Sequence, residues 1–242
     1  MRIHKYNLGI IGLSNHFFKN IYPNLKKNKL FKIIGAYSPS KVGLNYIDSI
    51  KIYNSLDSVI KNESIKHFYI SNITSLHYKT CLKLLKNKKN IICEKPLTLK
   101  YNEFSNLIKL ANKNKLIIFE AFMFKYHNSY FKLEELIKDK NIGKIKSMNI
   151  RFNIPSLDKN NFRYNKDKGG GAYADLGCYT VKMMSLLLNF RIDKICGYKV
   201  YDRRNIDLFG NALILFKSGI ICNLEWGFDK AYENNIIINT DK

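Results

Sequence analysis

The sequence predicts an α/β fold: a parallel, doubly wound sheet followed by an α+β domain on a mostly antiparallel, open and incomplete sheet. Three observations carry that expectation. Short continuous apolar runs alternate with amphipathic segments in the first half, the pattern of buried parallel strands and their covering helices. The first apolar run ends in a glycine just where helical spacing begins. Beyond about Gly143 the runs lengthen, and Lys217-Ser218-Gly219 separates two of them as a hairpin turn would.

Taken in order, residues 6–12, 31–37, 66–71, 90–93 and 115–119 read as strands. Residues 17–25, 75–86 and 101–112 read as helices, the last with polar cap candidates from Thr98 onward and an early acid, Glu103. Residues 144–154 read as a longer strand and 156–168 as a polar loop. A helix follows Gly169-Gly170-Gly171 as far as Leu188, and residues 195–201, 212–216, 220–226 and 235–239 complete the second sheet. The aromatic stripe Phe119, Phe122, Phe124 and Phe131 reads as core, and so does Trp226. His4 and His67 have no motif around them and read as structural or solvated.

Composition narrows the class. Of the 242 residues 46% are hydrophobic and 25% charged, an ordinary balance for a globular protein. The net charge of +22 comes from 41 Lys+Arg against 19 Asp+Glu. The excess is mostly lysine, spread along the chain with abundant Asn and Ile, residues that share AT-rich codons. Without a basic block or an aromatic-interleaved RNA motif it does not make a nucleic-acid footprint. No apolar stretch is long enough to span a bilayer, and residues 8–13 read as a first strand rather than a signal segment. Cys81, Cys93, Cys178, Cys196 and Cys222 are odd in number and hold no CxxC pair. Neither a disulfide framework nor a metal site is expected, and a cytoplasmic location fits.

Gly12-Leu13-Ser14-Asn15-His16-Phe17 lies where a dinucleotide fingerprint belongs, between a strand and a helix. Gly12 holds the first glycine position, while Ser14 and Phe17 stand at the second and third. After the second strand, Tyr37-Ser38-Pro39-Ser40-Lys41 offers hydroxyls and a cation but no acid. Ser38 and Lys41 suit the 2′-phosphate of NADP better than the bare ribose of NAD, and Ser38 and Ser40 can also cap the following helix. Glu94-Lys95-Pro96 follows a buried strand directly, which points two charges at the ligand crevice of an open sheet. Asp175 and Tyr179, four apart after the three glycines, place a carboxylate and a phenol on one helix face, a plausible acid–base pair.

With these motifs the chain resembles the glucose–fructose oxidoreductase, inositol dehydrogenase and rhizopine-catabolism (Gfo/Idh/MocA) oxidoreductases over nearly its whole length. Supporting pieces are Gly9-Ile10-Ile11-Gly12, residues 70–77, Glu120-Ala121-Phe122-Met123 with Tyr126-His127, the Asn141-Ile142-Gly143 turn and Asn161-Phe162-Arg163. The resemblance implies a Rossmann domain over residues 1–121 and a substrate-binding and dimerisation domain over residues 122–242. It implies hydride transfer between NADP or NAD and a sugar or polyol. Lys95 would polarise the substrate oxygen, Tyr179 carry the proton, and Asp175 hold substrate or orient the pair. Gly12, Ser14, Asn15, His16, Ser38, Lys41, Asn72, His77, Glu94 and Arg163 would line the cofactor. The tyrosine variant and the Asn161-Phe162-Arg163 loop resemble the branch of dihydrodiol dehydrogenases and nucleotide-sugar ketoreductases.

The chain departs from the pattern at Ser14 and Phe17, at Ile73 in place of a proline, and at Lys125 and Asn128 in place of Arg and Pro. It also stops at Lys242, where relatives continue with further strands and a helix. The expectation is a C-terminally shortened member, whose homo-oligomerisation depends on how complete the second sheet is. The competing reading is a non-catalytic nucleotide-binding homologue or fragment, and the retention together of Lys95, Asp175 and Tyr179 argues against it.

Overall fold

Strands β1 (Tyr6–Ile11), β2 (Phe31–Tyr37), β3 (Lys51–Ile52), β4 (His67–Ile70), β5 (Asn90–Cys93) and β6 (Ile118–Glu120) form one sheet in the order β3-β2-β1-β4-β5-β6. Every pairing in it is parallel. The computed structural model describes residues 5–40, 50–188 and 191–242. By internal contacts the chain divides into two units, Met1–Ala121 and Phe122–Lys242.

The first sheet is covered on both faces, and the period-2 alternation of strand side chains shows it. On β1, Leu8 and Ile10 join one apolar cluster with Phe17 and Tyr69. Ile11 joins the other with Ile70, Leu84 and Leu107. After β1 a π-helical turn, Phe17–Ile21, runs into helix α1 (Tyr22–Lys27). The wide turn directly precedes Pro23, which lacks an N–H and presses on the carbonyl four residues back, so the ladder opens there. Helix α2 (Leu56–Ile60) starts with a reciprocal capping box between Ser55 and Ser58. Helix α3 (His77–Lys86) packs against β5 and against α4 (Tyr101–Asn114).

Several local expectations shift. Helix α4 has Lys100 at its N-cap with no side-chain bond, because the Thr98 hydroxyl donates to the Lys100 carbonyl instead. Lys115, expected in a strand, is the left-handed residue that ends α4 (φ 52°), and β6 begins three residues on. The short elements β3 and α2 were too brief to leave a period in the sequence.

In the second unit, helix α5 (Asn128–Lys138) precedes β7 (Ile145–Asn153). A second π-helical turn, Tyr173–Gly177, leads into α6 (Cys178–Leu187). Strands β8 (Ile192–Tyr201), β9 (Asp207–Phe216), β10 (Ile221–Gly227) and β11 (Glu233–Thr240) follow. The five-stranded sheet runs β11-β7-β10-β9-β8, antiparallel except for the parallel pair β7–β10. Met148, Ile150, Ile214, Leu224 and Trp226 face Leu176 and Met184 in its core. Phe122 is buried as expected, but Phe119 and Phe131 are 38% and 45% exposed, so the aromatic stripe is only partly core. Among the described residues no helix is long and apolar enough to cross a membrane.

Leu84 of α3 is fully buried in the first unit's core. Leu84→Ala is expected to lower the unfolding free energy by about 2–5 kcal/mol. Tyr101→Ala, at an exposed position, should stay within about 0.5 kcal/mol of the parent. Urea denaturation of both variants checks the contrast.

Candidate active site

The strand order reverses between β1 and β4, so the crevice at their carboxyl ends is the ligand position of an open α/β sheet. Gly12 turns the chain there with φ +89°, and a Cβ on it would run into the Asn72 backbone. Its N–H donates to the Tyr37 carbonyl at 2.9 Å, and its carbonyl accepts the Ser71 hydroxyl at 2.8 Å. Ser14 caps the following helix: its hydroxyl accepts the Phe17 N–H at 3.1 Å and lies 3.4 Å from the Ser71 hydroxyl. That removes one of the first-turn donors an anion would use. Asn15 and His16 are exposed at the same turn. Ser38 at the end of β2 accepts the Leu13 N–H at 3.3 Å and lies 3.2 Å from the Ser40 hydroxyl. Lys41 lies outside the described residues.

Asn72 leaves β4 into this crevice. Its amide nitrogen donates to the Thr80 hydroxyl at 3.1 Å, while its Oδ1 is buried without a hydrogen-bond partner. A buried acceptor left unpaired costs about 1–3 kcal/mol, and a donor on a bound ligand relieves it. With the glycine turn and the serine hydroxyls, this residue set fits a dinucleotide.

Glu94 and Lys95 leave the neighbouring strand β5. Glu94 is 8% exposed, accepts the Tyr69 hydroxyl proton, and faces His16 Nε2 at 3.5 Å. Burial alone would raise its pKa. Hydrogen bonds from His16 and Tyr69, with the charges of His16 and Lys95, outweigh burial and hold Glu94 below its ordinary value. Lys95 is half-buried, and the turn beyond it is tied down where Leu97 N–H donates to Glu120 at 2.7 Å.

His77, expected to line the cofactor, is enclosed between the two turns. It is 1% exposed, and its ring nitrogens meet two main-chain carbonyls, Pro96 at 2.8 Å and Asn72 at 3.0 Å. Burial lowers its pKa, the two carbonyls and Glu94 oppose that shift, and Lys95 adds to it. Both ring nitrogens are thus engaged by the two turns.

In the second unit Gly171 (φ +116°) brings the backbone so near Asp207 that a Cβ would strike its carboxylate. That carboxylate accepts the Tyr173 N–H at 2.6 Å and closes the helix start. Burial nevertheless raises the Asp207 pKa, with the Tyr173 N–H and Lys199 acting against it. Asp175 sits in the π-helical turn, and Arg163 Nε donates to its Oδ2 at 2.6 Å. Arg163, expected to reach the cofactor, is thus joined to Asp175. Tyr179 is held by three rings, Phe152 at 5.3 Å, Phe122 at 5.5 Å and Phe124 at 6.0 Å between centroids. Its ring walls a cavity of about 230 Å³ with Met123, Phe152, Met183, Asn234 and Ile236.

The structure therefore gathers Gly12, Ser14, His16, Ser38, Asn72, His77, Glu94 and Lys95 at the exits of neighbouring strands in one unit, and Arg163, Asp175 and Tyr179 in the other. Sequence reasoning missed Tyr69, Thr80 and Asp207. Tyr69 had a signal, an aromatic hydroxyl one residue from the end of a buried strand; Asp207 had none. No group of three or more His, Cys, Asp or Glu side chains among the described residues could hold a metal ion.

Fold and site together define a nucleotide-binding Rossmann unit joined to an α+β unit with an open sheet. Residues 6–122 match the family described as "Oxidoreductase family, NAD-binding Rossmann fold", and residues 130–242 match its GFO/IDH/MocA C-terminal domain. The chain belongs to the Gfo/Idh/MocA oxidoreductase family. It is 28% identical over 179 residues to dTDP-3,4-didehydro-2,6-dideoxy-alpha-D-glucose 3-reductase of Actinomadura kijaniata, covering 74% of this chain and 54% of that protein. It is 32% identical over 139 residues to trans-1,2-dihydrobenzene-1,2-diol dehydrogenase of Xenopus tropicalis, covering 57% and 42%. The chain thus spans about half the length of the curated relatives it matches. In fold it is similar to a 3-ketoreductase from Actinomadura kijaniata solved with NADP and TDP-benzene (TM-score 0.92, 24% identity, 98% of this chain and 74% of that one). It also resembles an aldose-aldose oxidoreductase from Caulobacter crescentus (TM-score 0.88, 19% identity, 99% and 75%).

Glu94→Gln tests the electrostatics of the β5 exit. A carboxylate with a lowered folded-state pKa stabilises the fold above its ordinary value of 4.5 and loses that contribution as pH falls through the lowered value. The stability of the parent over Glu94→Gln should be largest near neutrality and vanish on acidification below 4.5. Thermal melts of both proteins across that range read it directly.

Proposed function

We propose that the chain is the nucleotide-binding and catalytic part of an NADP-preferring oxidoreductase that reduces a ketone on a sugar, or runs the reverse oxidation. The observation that carries it is the buried, unpartnered Oδ1 of Asn72 beside the Gly12 turn, together with half-buried Lys95 on the neighbouring strand. The absence of an acid after β2, where Ser38 stands, supports NADP over NAD.

A bound dinucleotide would supply or accept the hydride. Gly12 lets the pyrophosphate approach the backbone, with Asn15 and His16 at the helix start, and Ser38 and Lys41 serve the 2′-phosphate. Asn72 and Glu94 hold the nicotinamide end. Lys95 donates a hydrogen bond to the substrate oxygen and stabilises the negative charge that develops on it. Tyr179 of the second unit serves as the proton carrier, giving a proton from its hydroxyl during reduction and taking one back during oxidation. Asp175, paired with Arg163, orients the substrate. The cavity beside Tyr179 is walled mainly by Met123, Phe152, Met183 and Ile236, and the Thr180 hydroxyl there is already bonded to the Gly177 carbonyl at 2.9 Å. Arg151 and Asn234 also line it, so a sugar with one apolar face and a few hydroxyls suits such a wall.

Fluorescence titration with NADPH and NADH tests the reading, with NADPH expected to bind more tightly. Failure of a folded chain to bind either nucleotide supports the non-catalytic alternative and sinks the proposal. Lys95→Met should lower kcat by about 10²–10³-fold while leaving NADPH affinity nearly intact. Tyr179→Phe keeps the ring packing and should cost about 10²–10⁴-fold in kcat. Unchanged turnover on a keto-sugar in either variant would remove that residue from the mechanism.

A further inference from the structure

His77 is an almost fully enclosed titratable side chain beside the two turns, at 1% exposure, and the functional reading gives it no ligand to touch. Its place in the fold is specific. It is the first residue of α3, a helix anchored in the core by Cys81, Leu84 and Leu85. From that base the ring reaches two loops at once. Nδ1 meets the carbonyl of Pro96, the residue after Lys95, at 2.8 Å. Nε2 meets the carbonyl of Asn72 at 3.0 Å. These loops leave the adjacent strands β4 and β5, which end level with each other at the Ile70–Cys93 pair.

We propose that His77 is a positioning residue whose imidazole clamps the carbonyls of Asn72 and Pro96, and so fixes the aim of Asn72 on the cofactor side and Lys95 on the substrate side. The proposal rests on the assignment of Lys95 and Asn72 above. Each ring nitrogen faces one loop; the neutral ring donates its single N–H to one carbonyl and holds the other by packing contact, so the two functions are separable. A neutral imidazole carries one N–H and donates to one carbonyl only; a second proton would let it donate to both. The groups that face the ring are those two carbonyls, Glu94, which favours the second proton, and Lys95, which opposes it. Catalytic groups displaced by about 1 Å lose up to about a hundredfold in rate, so a clamp one residue from Lys95 has leverage on turnover.

Two conservative variants separate the halves of the clamp. An asparagine amide nitrogen lies near the place of Nδ1 and a glutamine amide nitrogen near that of Nε2. His77→Gln keeps the Asn72 contact and frees the Pro96 turn; kcat should fall by about tenfold or more with little change in NADPH Kd. His77→Asn keeps the Pro96 contact and frees Asn72; NADPH Kd should rise by about tenfold with a smaller loss of kcat. A purely structural histidine would lower Tm in both variants and move kcat and Kd in parallel, and either that pattern or wild-type kinetics in both overturns the proposal. Nitrogen-15 NMR of the wild-type imidazole is independent of whether the variants fold. It should show a slowly exchanging ring N–H and titration below the ordinary histidine value of 6.5. A fast-exchanging ring with ordinary titration also overturns the clamp. If the wild type binds no nicotinamide nucleotide, the functional reading fails, and the NMR result still decides whether the clamp exists.

Discussion

The site depends first on how closely β1 and β4 approach where they leave the sheet. Gly12 lies against the Asn72 backbone at a φ that side chains avoid, so this contact exists only because the residue lacks a Cβ. The Ser71 hydroxyl can then reach the Gly12 carbonyl, and the Ser14 hydroxyl can cap the helix beside Ser71. The same approach confines Asn72, whose Oδ1 ends buried and unpaired. Loop, helix start and strand exit are one fastened unit, and the serine in the second fingerprint position is part of the fastening.

The two units fix their functional groups by different means. In the first, buried polar groups are held by polar contacts: Glu94 by the Tyr69 hydroxyl and by His16, His77 between two carbonyls, to one of which the neutral ring donates. In a region of low dielectric such bonds are strong, and each unmade one is costly. In the second, the phenol of Tyr179 is packed among Phe122, Phe124 and Phe152, and Asp175 is placed by a charged partner, Arg163. Ring packing of this kind fixes the orientation of the phenol.

Much of the fold was legible because its signals are local. Strands β2 and β5 stand at the residues their apolar runs indicated, and the glycine-ended turn between β9 and β10 holds Gly219 at φ +83°. Elements of two to five residues, β3 and α2, carry no periodicity, and the cap of α4 went astray because Thr98 bonds to its own loop. The motifs around Gly12, Glu94-Lys95-Pro96 and the three glycines were legible as chemistry. What each side chain does with its hydrogen bonds was not. Nothing in the string of residues says that His77 faces two carbonyls, that Asp207 closes a helix start far along the chain, or that Arg163 is joined to Asp175.

The strand order of the second sheet bears on how the protein is made. Strand β7 pairs with β10 on one side and β11 on the other, and both are synthesised after α6, β8 and β9. As the ribosome emits the chain, β7 waits with both edges bare, whereas β1 finds β2 after a single short helical connection. Pairings so distant in sequence close slowly, and open strand edges invite association with other chains in the meantime. The polar ladder along β7 of Ser147, Asn149, Arg151 and Asn153 lowers that hazard, because it keeps one face of the waiting strand unattractive to apolar neighbours.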